Sequence, residues 1–335
     1  MEIFANGQWL PLVFVILMGA AILAYTILDG YDLGVGMLMS LVEVKEKDKM
    51  IASIGPFWDA NETWLVLSVG ILLVAFPDAH GIILTALYIP VAIMLFGLIL
   101  RGVSFDFRAK AEIEYKYLWD RAFITGSFIT TMSQGFMLGM YIMSFDYTIL
   151  TVAFSLLTGT CLVAGYSMVG ASWLIMKTEG ELQIKAVKWA KSALWISAFG
   201  MLLVSTATPL LNERIFNKWF SFPNFFYLLP IPLITGALII LLEVILRKLP
   251  KTQDAYCWVP FIGSIGIFIL GFLGLAYSFY PYIVPNQLTI WEAASSPESL
   301  KVILFGVAIV LPFIIGYTIF AYRVFWGKVK DLSYY

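Results

Sequence analysis

Two pairs of carboxylic acids interrupt apolar stretches in the first part of the chain. Asp29 and Asp32 lie in ILDGYDLGVGML, and Asp59 and Glu62 lie in GPFWDANETWLV. The acids of each pair are three residues apart, so a helix places both on one face. Ionisable groups in apolar membrane segments are rare and recur in proton relays. The acids are therefore predicted to take up and release protons. The alternative is that Asp29 and Asp59 only bond a neighbouring backbone or Arg101 and fix the packing.

Asp106 is a further candidate. It follows Arg101 at the predicted cytoplasmic end of the third apolar segment, in RGVSFDFRAK. Because this position is nearer to water, Asp106 is expected to be either a residue at the mouth of a proton path or an ordinary interfacial charge.

Metal and haem chemistry has little support in the sequence. His80, in FPDAHG, is the single histidine of 335 residues, and it falls in a predicted short outside loop. Haem iron usually takes His, Cys, Met or Tyr ligands, and one peripheral His cannot anchor several haems. No metal-ligand spacing, Ser-His-Asp set or phosphate-binding glycine loop is present. If the protein works with haems, another chain is expected to hold most or all of them.

The composition is that of an integral membrane protein. Hydrophobic residues make up 61% of the chain and charged residues 13%, whereas soluble domains carry about 25% charge. The net charge is −1 and no arginine-rich run occurs, so nucleic-acid binding is not expected.

The apolar residues fall into nine windows long enough to span a membrane, which takes about 20 residues in a helix. Continuous apolar runs of this length exclude a β-barrel, whose strands alternate. We therefore predict an all-α integral membrane protein with nine transmembrane helices. The predicted spans are 9–40, 53–75, 82–104, 120–144, 149–176, 189–211, 222–246, 257–280 and 301–325.

The distribution of Lys and Arg predicts the orientation. Alternate connections hold 18 of these residues, and the opposite side holds only Arg214, Lys218 and Lys301. Cytoplasmic connections are the positively charged ones. The N-terminus is therefore predicted outside and the C-terminus in the cytoplasm.

A faint internal repeat predicts two related bundles. GYDLGVGML at Gly30 is echoed by GYSMVGASW at Gly165. In the second copy, Ala164 and Ser167 stand where the first copy has Asp29 and Asp32. Carboxylates are thus not needed to fold such a bundle. We predict two pseudo-symmetric four-helix bundles plus one peripheral helix. The predicted divisions are 1–147, 148–282, and 283–335, the last comprising an outside loop, the ninth helix and a cytoplasmic tail.

The two acid-bearing helices are expected to be antiparallel neighbours, because only a short charged loop at 43–50 joins them. The four carboxyls could then converge in the cytoplasmic half of the membrane. With a straight helix and a rise of about 1.5 Å per residue, Asp59 would lie ~13 Å deep. Gly30, Gly34 and Gly36 are expected to let helix backbones approach closely.

Several motifs in this order resemble subunit II of cytochrome bd-type quinol oxidases, over nearly the whole chain. They are TILDGYDLGVGML, GPFWDANETWL, RGVSFDFRAK, WDRAFITGSF and LTIWEAASS. The resemblance implies a bacterial inner-membrane complex that reduces O2 to water with electrons from quinol. Subunit I would carry two b-type haems and one d-type haem, and subunit II would bind none. Small single-span accessory subunits and membrane lipid are further partners that the resemblance allows.

The resemblance also assigns roles to individual residues. Asp59, in the Trp58-Asp59 pair, matches the family's principal proton-pathway acid, on a path from the cytoplasm to the oxygen-reducing site. Asp29 and Asp32 match the DGxD element of the first helix. Glu62 stands where some relatives have Gln, so its role is less defined.

Two other functions remain open at this point. A proton- or cation-coupled transporter would also place acids near the midplane at a repeat interface. A purely structural assembly subunit would need no proton-carrying groups at all.

Overall fold

The structure, a computed structural model, describes residues 8–250 and 254–329. Lys251 and Lys330, two of the cations that predict the orientation, lie outside the described residues, as do the outermost ends of the first and last predicted divisions. The described chain is almost entirely helical. Its helices are α1 (Leu10–Leu38), α2 (Val44–Ile54), α3 (Trp58–Ala75), α4 (Pro77–Ala86), α5 (Tyr88–Lys110), α6 (Lys116–Ile142), α7 (Ile149–Lys177), α8 (Gly180–Leu211), α9 (Glu213–Phe220), α10 (Asn224–Leu228), α11 (Pro230–Leu246), α12 (Val259–Phe279) and α13 (Pro297–Val324), with 3-10 turns at Met39–Leu41 and Ile113–Tyr115 and two short strands, β1 (Tyr282–Val284) and β2 (Leu288–Thr289).

Within the described residues, eight helical segments are long and apolar enough to cross a membrane. They are α1 with its 3-10 extension, α3, α5, α7, α8, α10 together with α11, α12, and α13. The all-helical membrane architecture is thus confirmed. The predicted span 120–144 is helical as α6, but Gly, Ser, Thr and charged residues dilute its apolar character. The count of nine spans, the orientation and the division into two bundles stay predictions.

The prediction of one continuous span over 53–75 is wrong, as is the prediction of a loop at 43–50. Residues 44–54 form the separate helix α2, and α3 begins only after Pro56. Proline lacks the N–H that would continue a helix, and its ring clashes with the preceding turn. Asp59 therefore lies at the start of a new helix, and the depth estimated from an unbroken helix no longer applies.

The region around the predicted third span also differs from the prediction. His80 lies on α4 rather than in a loop, because Pro77 provides a favourable first residue for a helix. The span itself is α5, six residues later than predicted at both ends. Arg101 is consequently inside the helix and wholly buried, not at a membrane surface. Arg101, Ser104 and Arg108 share the buried face of α5, a periodicity that average hydropathy does not detect.

The chain divides into two compact units, each with its own core. Unit 1 contains α1 as far as Asp29, then α3, α4, the β-hairpin and α13. Ala21, Tyr25 and Trp64 form a buried cluster against which apolar residues of α13 pack. The two acid-bearing helices α1 and α3 are thus neighbours here, as predicted. The predicted outside loop after α12 forms the hairpin, and Ser295 covers the end of α3 by donating from its backbone N–H to the Ala75 carbonyl, at 2.9 Å.

Unit 2 contains α1 from Gly30 onward, α2, α5 to α12 and the segment from Gly327. Small residues set its helix crossings. A Cβ atom on Gly34 would lie only 1.9 Å from the Tyr166 carbonyl oxygen on α7, so this position requires glycine. Gly36 packs closely against the side chain of Ser127 on α6. The predicted close approach of helix backbones therefore occurs at Gly34, against α7, whereas Gly30 and Gly36 contact side chains of α7 and α6.

Candidate functional site

The first pair of acids lies on consecutive turns of α1. Asp29 and Asp32 both have 0% of their surface exposed. The helix persists through them because backbone groups in an apolar phase must bond within their own segment. The structure therefore places both carboxyls inside the protein, within a membrane-spanning helix, as the sequence predicted.

Asp32 has a cationic neighbour within unit 2. The Arg101 Nη2 atom lies 4.0 Å from the Asp32 Oδ2 atom, and neither side chain has exposed surface. Gly126 allows the backbones of α5 and α6 to pack closely at Arg101, because a Cβ atom on Gly126 would lie 2.9 Å from the Arg101 backbone nitrogen. Arg stays charged in proteins, so this is an ion pair in a region of low dielectric. Arg101 was expected as a bonding partner of Asp29 or Asp59, and the structure shows it beside Asp32.

The second pair of acids opens α3. Asp59 is in the first turn and exposed, Glu62 is half-buried one turn later, and Trp58 is the half-buried first residue. A carboxylate in the first turn of a helix is stabilised by about 0.3–1 kcal/mol through the helix dipole. The predicted sharing of one helix face is confirmed within each pair. The convergence of all four carboxyls stays a prediction.

Sequence reasoning missed Asn61, which connects three helices of unit 1. Its side chain is 1% exposed. The Nδ2 atom donates to the Leu28 carbonyl on α1 at 3.2 Å, and the Oδ1 atom accepts from the Tyr322 hydroxyl on α13 at 3.3 Å. An amide inside the apolar run, between Asp59 and Glu62, was the available signal.

A second missed group lies at the ends of α2, α5 and α6 in unit 2. Asp120, only 1% exposed, accepts from Arg108 Nε at 2.5 Å and lies 3.3 Å from Lys47 Nζ. Arg108 also pairs with Asp48, at 2.7 Å. These cations entered the sequence argument only as markers of orientation, and Asp120 only as part of WDRAFITGSF. Asp106 is exposed on α5, and its two interpretations remain open.

His80, the single histidine, belongs to no cluster of metal-ligating side chains within the described residues. His80 is half-buried on the short helix α4. Across residues 8–250 and 254–329, no three His, Cys, Asp or Glu side chains are arranged to hold a metal ion. Among the described residues, one half-buried histidine on a short helix does not provide the ligands that several haems would need.

Comparison with known proteins decides the family. Residues 10–325 match the family model described as cytochrome bd terminal oxidase subunit II. The chain belongs to this family. Members are subunits of a respiratory oxidoreductase of the bacterial inner membrane, so the chain is a subunit of such an enzyme, and haem cofactors are implied in the complex.

Relatives extend over almost the entire subunit II chain. Cytochrome bd-I ubiquinol oxidase subunit 2 of Escherichia coli (strain K12) is 26% identical over 360 residues, covering 94% of this chain and 93% of the relative. Cytochrome bd ubiquinol oxidase subunit 2 of Bacillus subtilis (strain 168) is 28% identical over 346 residues and covers 97% of both. The bd oxidase structure from Geobacillus thermodenitrificans matches the fold with a TM-score of 0.78 at 15% identity, over 94% of this chain and 98% of that chain.

Proposed function

We propose that this subunit II packs against a haem-bearing subunit I and supplies a proton pathway from the cytoplasm to the site of oxygen reduction. One observation carries the proposal: Asp29 and Asp32 are completely buried in an apolar membrane-spanning helix. A charged group at the bilayer centre costs about 2.5–3.5 kcal/mol on insertion scales, and such groups are retained where they move ions or protons.

The exposure of Asp59 supports a partner subunit. Asp59 is exposed near the start of the membrane-spanning helix α3, on a surface that continues through exposed Thr63 and Val66. Hydrocarbon is an unfavourable environment for a carboxyl. A protein surface on that side would shield Asp59 from lipid and give its proton a route out of this chain.

We assign different roles to the acids. Asp59, Asp29 and Asp32 all carry the proton. Asp32 differs from the other two because it does so beside the fixed positive charge of Arg101. Glu62 extends the set one turn along α3, and Trp58 holds the start of that helix. Asp106, exposed on α5, belongs to the cytoplasmic mouth of the path.

The haems belong to the partner in this proposal. Subunit I holds two b-type haems and one d-type haem, and quinol is the electron donor, as the relatives named ubiquinol oxidases suggest. Reducing O2 to water consumes protons, and taking them only from the cytoplasm separates charge. Each elementary charge moved against 100 mV stores about 2.3 kcal/mol. A path of acids that is open only to the cytoplasm gives proton uptake this direction.

The visible absorption spectrum of material purified through a tag on this chain tests the partnership. The proposal predicts haem absorption in a stable complex with a second large subunit. A stable haem-free assembly of this chain alone would instead support a proton- or cation-coupled transporter.

Replacing Asp59 tests the pathway itself. Asp59→Asn should leave haem content intact and slow quinol-driven oxygen consumption roughly a hundredfold, the scale of losing a proton-transfer group. Thr63→Val is the matched control, because Thr63 is also exposed on α3, one turn away. Normal turnover in Asp59→Asn would leave only a structural role for the subunit.

A further inference from the structure

An apolar groove lies between α1 and α13 within unit 1. Its volume is about 540 Å³, and it is lined by Leu28, Thr318, Ile319, Tyr322, Arg323 and Trp326. Binding sites for small molecules typically measure roughly 300–1,000 Å³. All but one of the lining residues come from the last two turns of α13 and the residues just beyond it, so the groove runs along the end of a membrane-spanning helix.

The walls of the groove are held in place by contacts behind them. The Tyr322 ring stacks on Phe57 with centroids 4.5 Å apart, and its hydroxyl donates to Asn61 Oδ1 at 3.3 Å. Asn61 also holds the Leu28 carbonyl on the opposite wall, at 3.2 Å. Tyr322 and the Leu28 backbone are thus held before a ligand enters, which lowers the cost of ordering them on binding.

One end of the groove is cationic and amphipathic. Arg323 is exposed and makes no ion pair with any residue in the described part of the chain. Trp326 is 75% exposed, and no described residue accepts a hydrogen bond from its indole N–H. Trp and Arg at the end of a spanning helix sit at headgroup level, where the guanidinium and the indole both have donors to offer.

We propose that this groove binds one anionic phospholipid, with an acyl chain along Leu28 and Ile319 and the phosphate on Arg323 and the Trp326 N–H. The apolar floor matches hydrocarbon, and the cationic end matches the phosphate. A guanidinium recognises phosphate oxygens in a planar, two-point geometry. The predicted orientation puts this end in the cytoplasmic leaflet, where basic residues attract anionic lipid. The proposal stands independently of the proton pathway.

Native mass spectrometry of the purified complex tests this site. The complex is reconstituted in nanodiscs of phosphatidylglycerol or of phosphatidylcholine, and the lipids retained after release are counted. The intact chain should retain one phosphatidylglycerol molecule in preference to phosphatidylcholine. Arg323→Gln should weaken that retention roughly fivefold, the effect of one basic residue at a membrane surface.

Two further variants keep the result interpretable. Lys301→Gln removes an exposed cation from the first turns of the same helix, away from the groove, and should leave retention unchanged. Ile319→Trp fills the groove and should abolish retention of either lipid.

Three outcomes would overturn the proposal. Equal retention of phosphatidylglycerol in the Arg323→Gln and Lys301→Gln variants would exclude phosphate recognition. Displacement of the lipid by millimolar inorganic phosphate alone would reduce the site to an anion site. Absence of retained lipid in the intact complex would mean that the partner protein covers the groove.

Discussion

At the scale of single residues, the buried pair of Arg101 and Asp32 carries the largest electrostatic consequence. Both side chains are wholly buried, with 4.0 Å between the charged atoms. Taking two charges out of water is unfavourable, and their attraction compensates only while both are present. Removing one partner therefore leaves the other charge in the protein interior without this countercharge.

A double-mutant cycle tests this pair. Arg101→Leu should lower the free energy of unfolding by about 3–5 kcal/mol, because Asp32 loses its countercharge. The double variant Arg101→Leu with Asp32→Asn should recover part of that loss. Thermal unfolding of the purified complex, followed by intrinsic fluorescence, gives the order of stability. A double variant no more stable than Arg101→Leu alone would show that the pair is not coupled.

The site residues that could be predicted from the sequence differ physically from those that only the structure identified. Asp29, Asp32, Asp59 and Glu62 stand out because an acid in an apolar run has no ordinary explanation. Arg101 was noticed but misplaced, since the end of an apolar run looks the same whether the next cation is buried or exposed. Asn61 and Asp120 needed the fold, because their importance lies in contacts with distant parts of the chain.

At the scale of elements, a charged connection that the hydropathy pattern predicted as a loop is a helix. The 43–50 segment belongs to α2, which ion pairs fasten to α5 and α6 through Asp48, Arg108 and Asp120. Spans were predictable because about 20 apolar residues must be helical in a membrane. The helix breaks at Pro56 and before Tyr88 could not be predicted from hydropathy, because the apolar character of the sequence continues across them.

Replacing Asp120 tests the fastening of these elements. Asp120→Asn leaves Arg108 and Lys47 without a buried anion between them and should lower stability by about 3–5 kcal/mol. Asp106→Asn, which removes an exposed acid from α5, should change stability by less than about 0.5 kcal/mol. The midpoints of thermal unfolding provide the comparison. Similar midpoints for the two variants would contradict the assignment of Asp120 to a structural network.

The crossing of α1 and α7 gives a second prediction at this scale. Gly34→Ala would place a methyl group 1.9 Å from the Tyr166 carbonyl oxygen, so the helices must move apart. We expect a loss of about 1–3 kcal/mol, as for other overpacked sites. Gly70→Ala on α3 is the control, because a Cβ there meets nothing within 4 Å. It should stabilise the helix by about 1 kcal/mol, and a Gly34→Ala variant equally stable would refute the close crossing.

At the scale of the whole molecule, the chain is a member of the subunit II family, and we propose that its acids move protons. The family and its membrane helices were accessible from the sequence, because the motifs and apolar runs are local features. The grouping of the chain into two units was not, since unit 1 joins the start of α1 with α13 from the opposite end of the sequence.

The most direct test measures proton uptake by the assembled oxidase in membrane vesicles during a single turnover started with an oxygen pulse. A pH-sensitive dye reports uptake from the cytoplasmic side, and haem absorbance reports electron transfer in the same sample. We predict that Asp59→Asn slows the uptake roughly a hundredfold while the haems are still reduced by quinol. Proton uptake at the unaltered rate in that variant would contradict the claim that this subunit carries the protons.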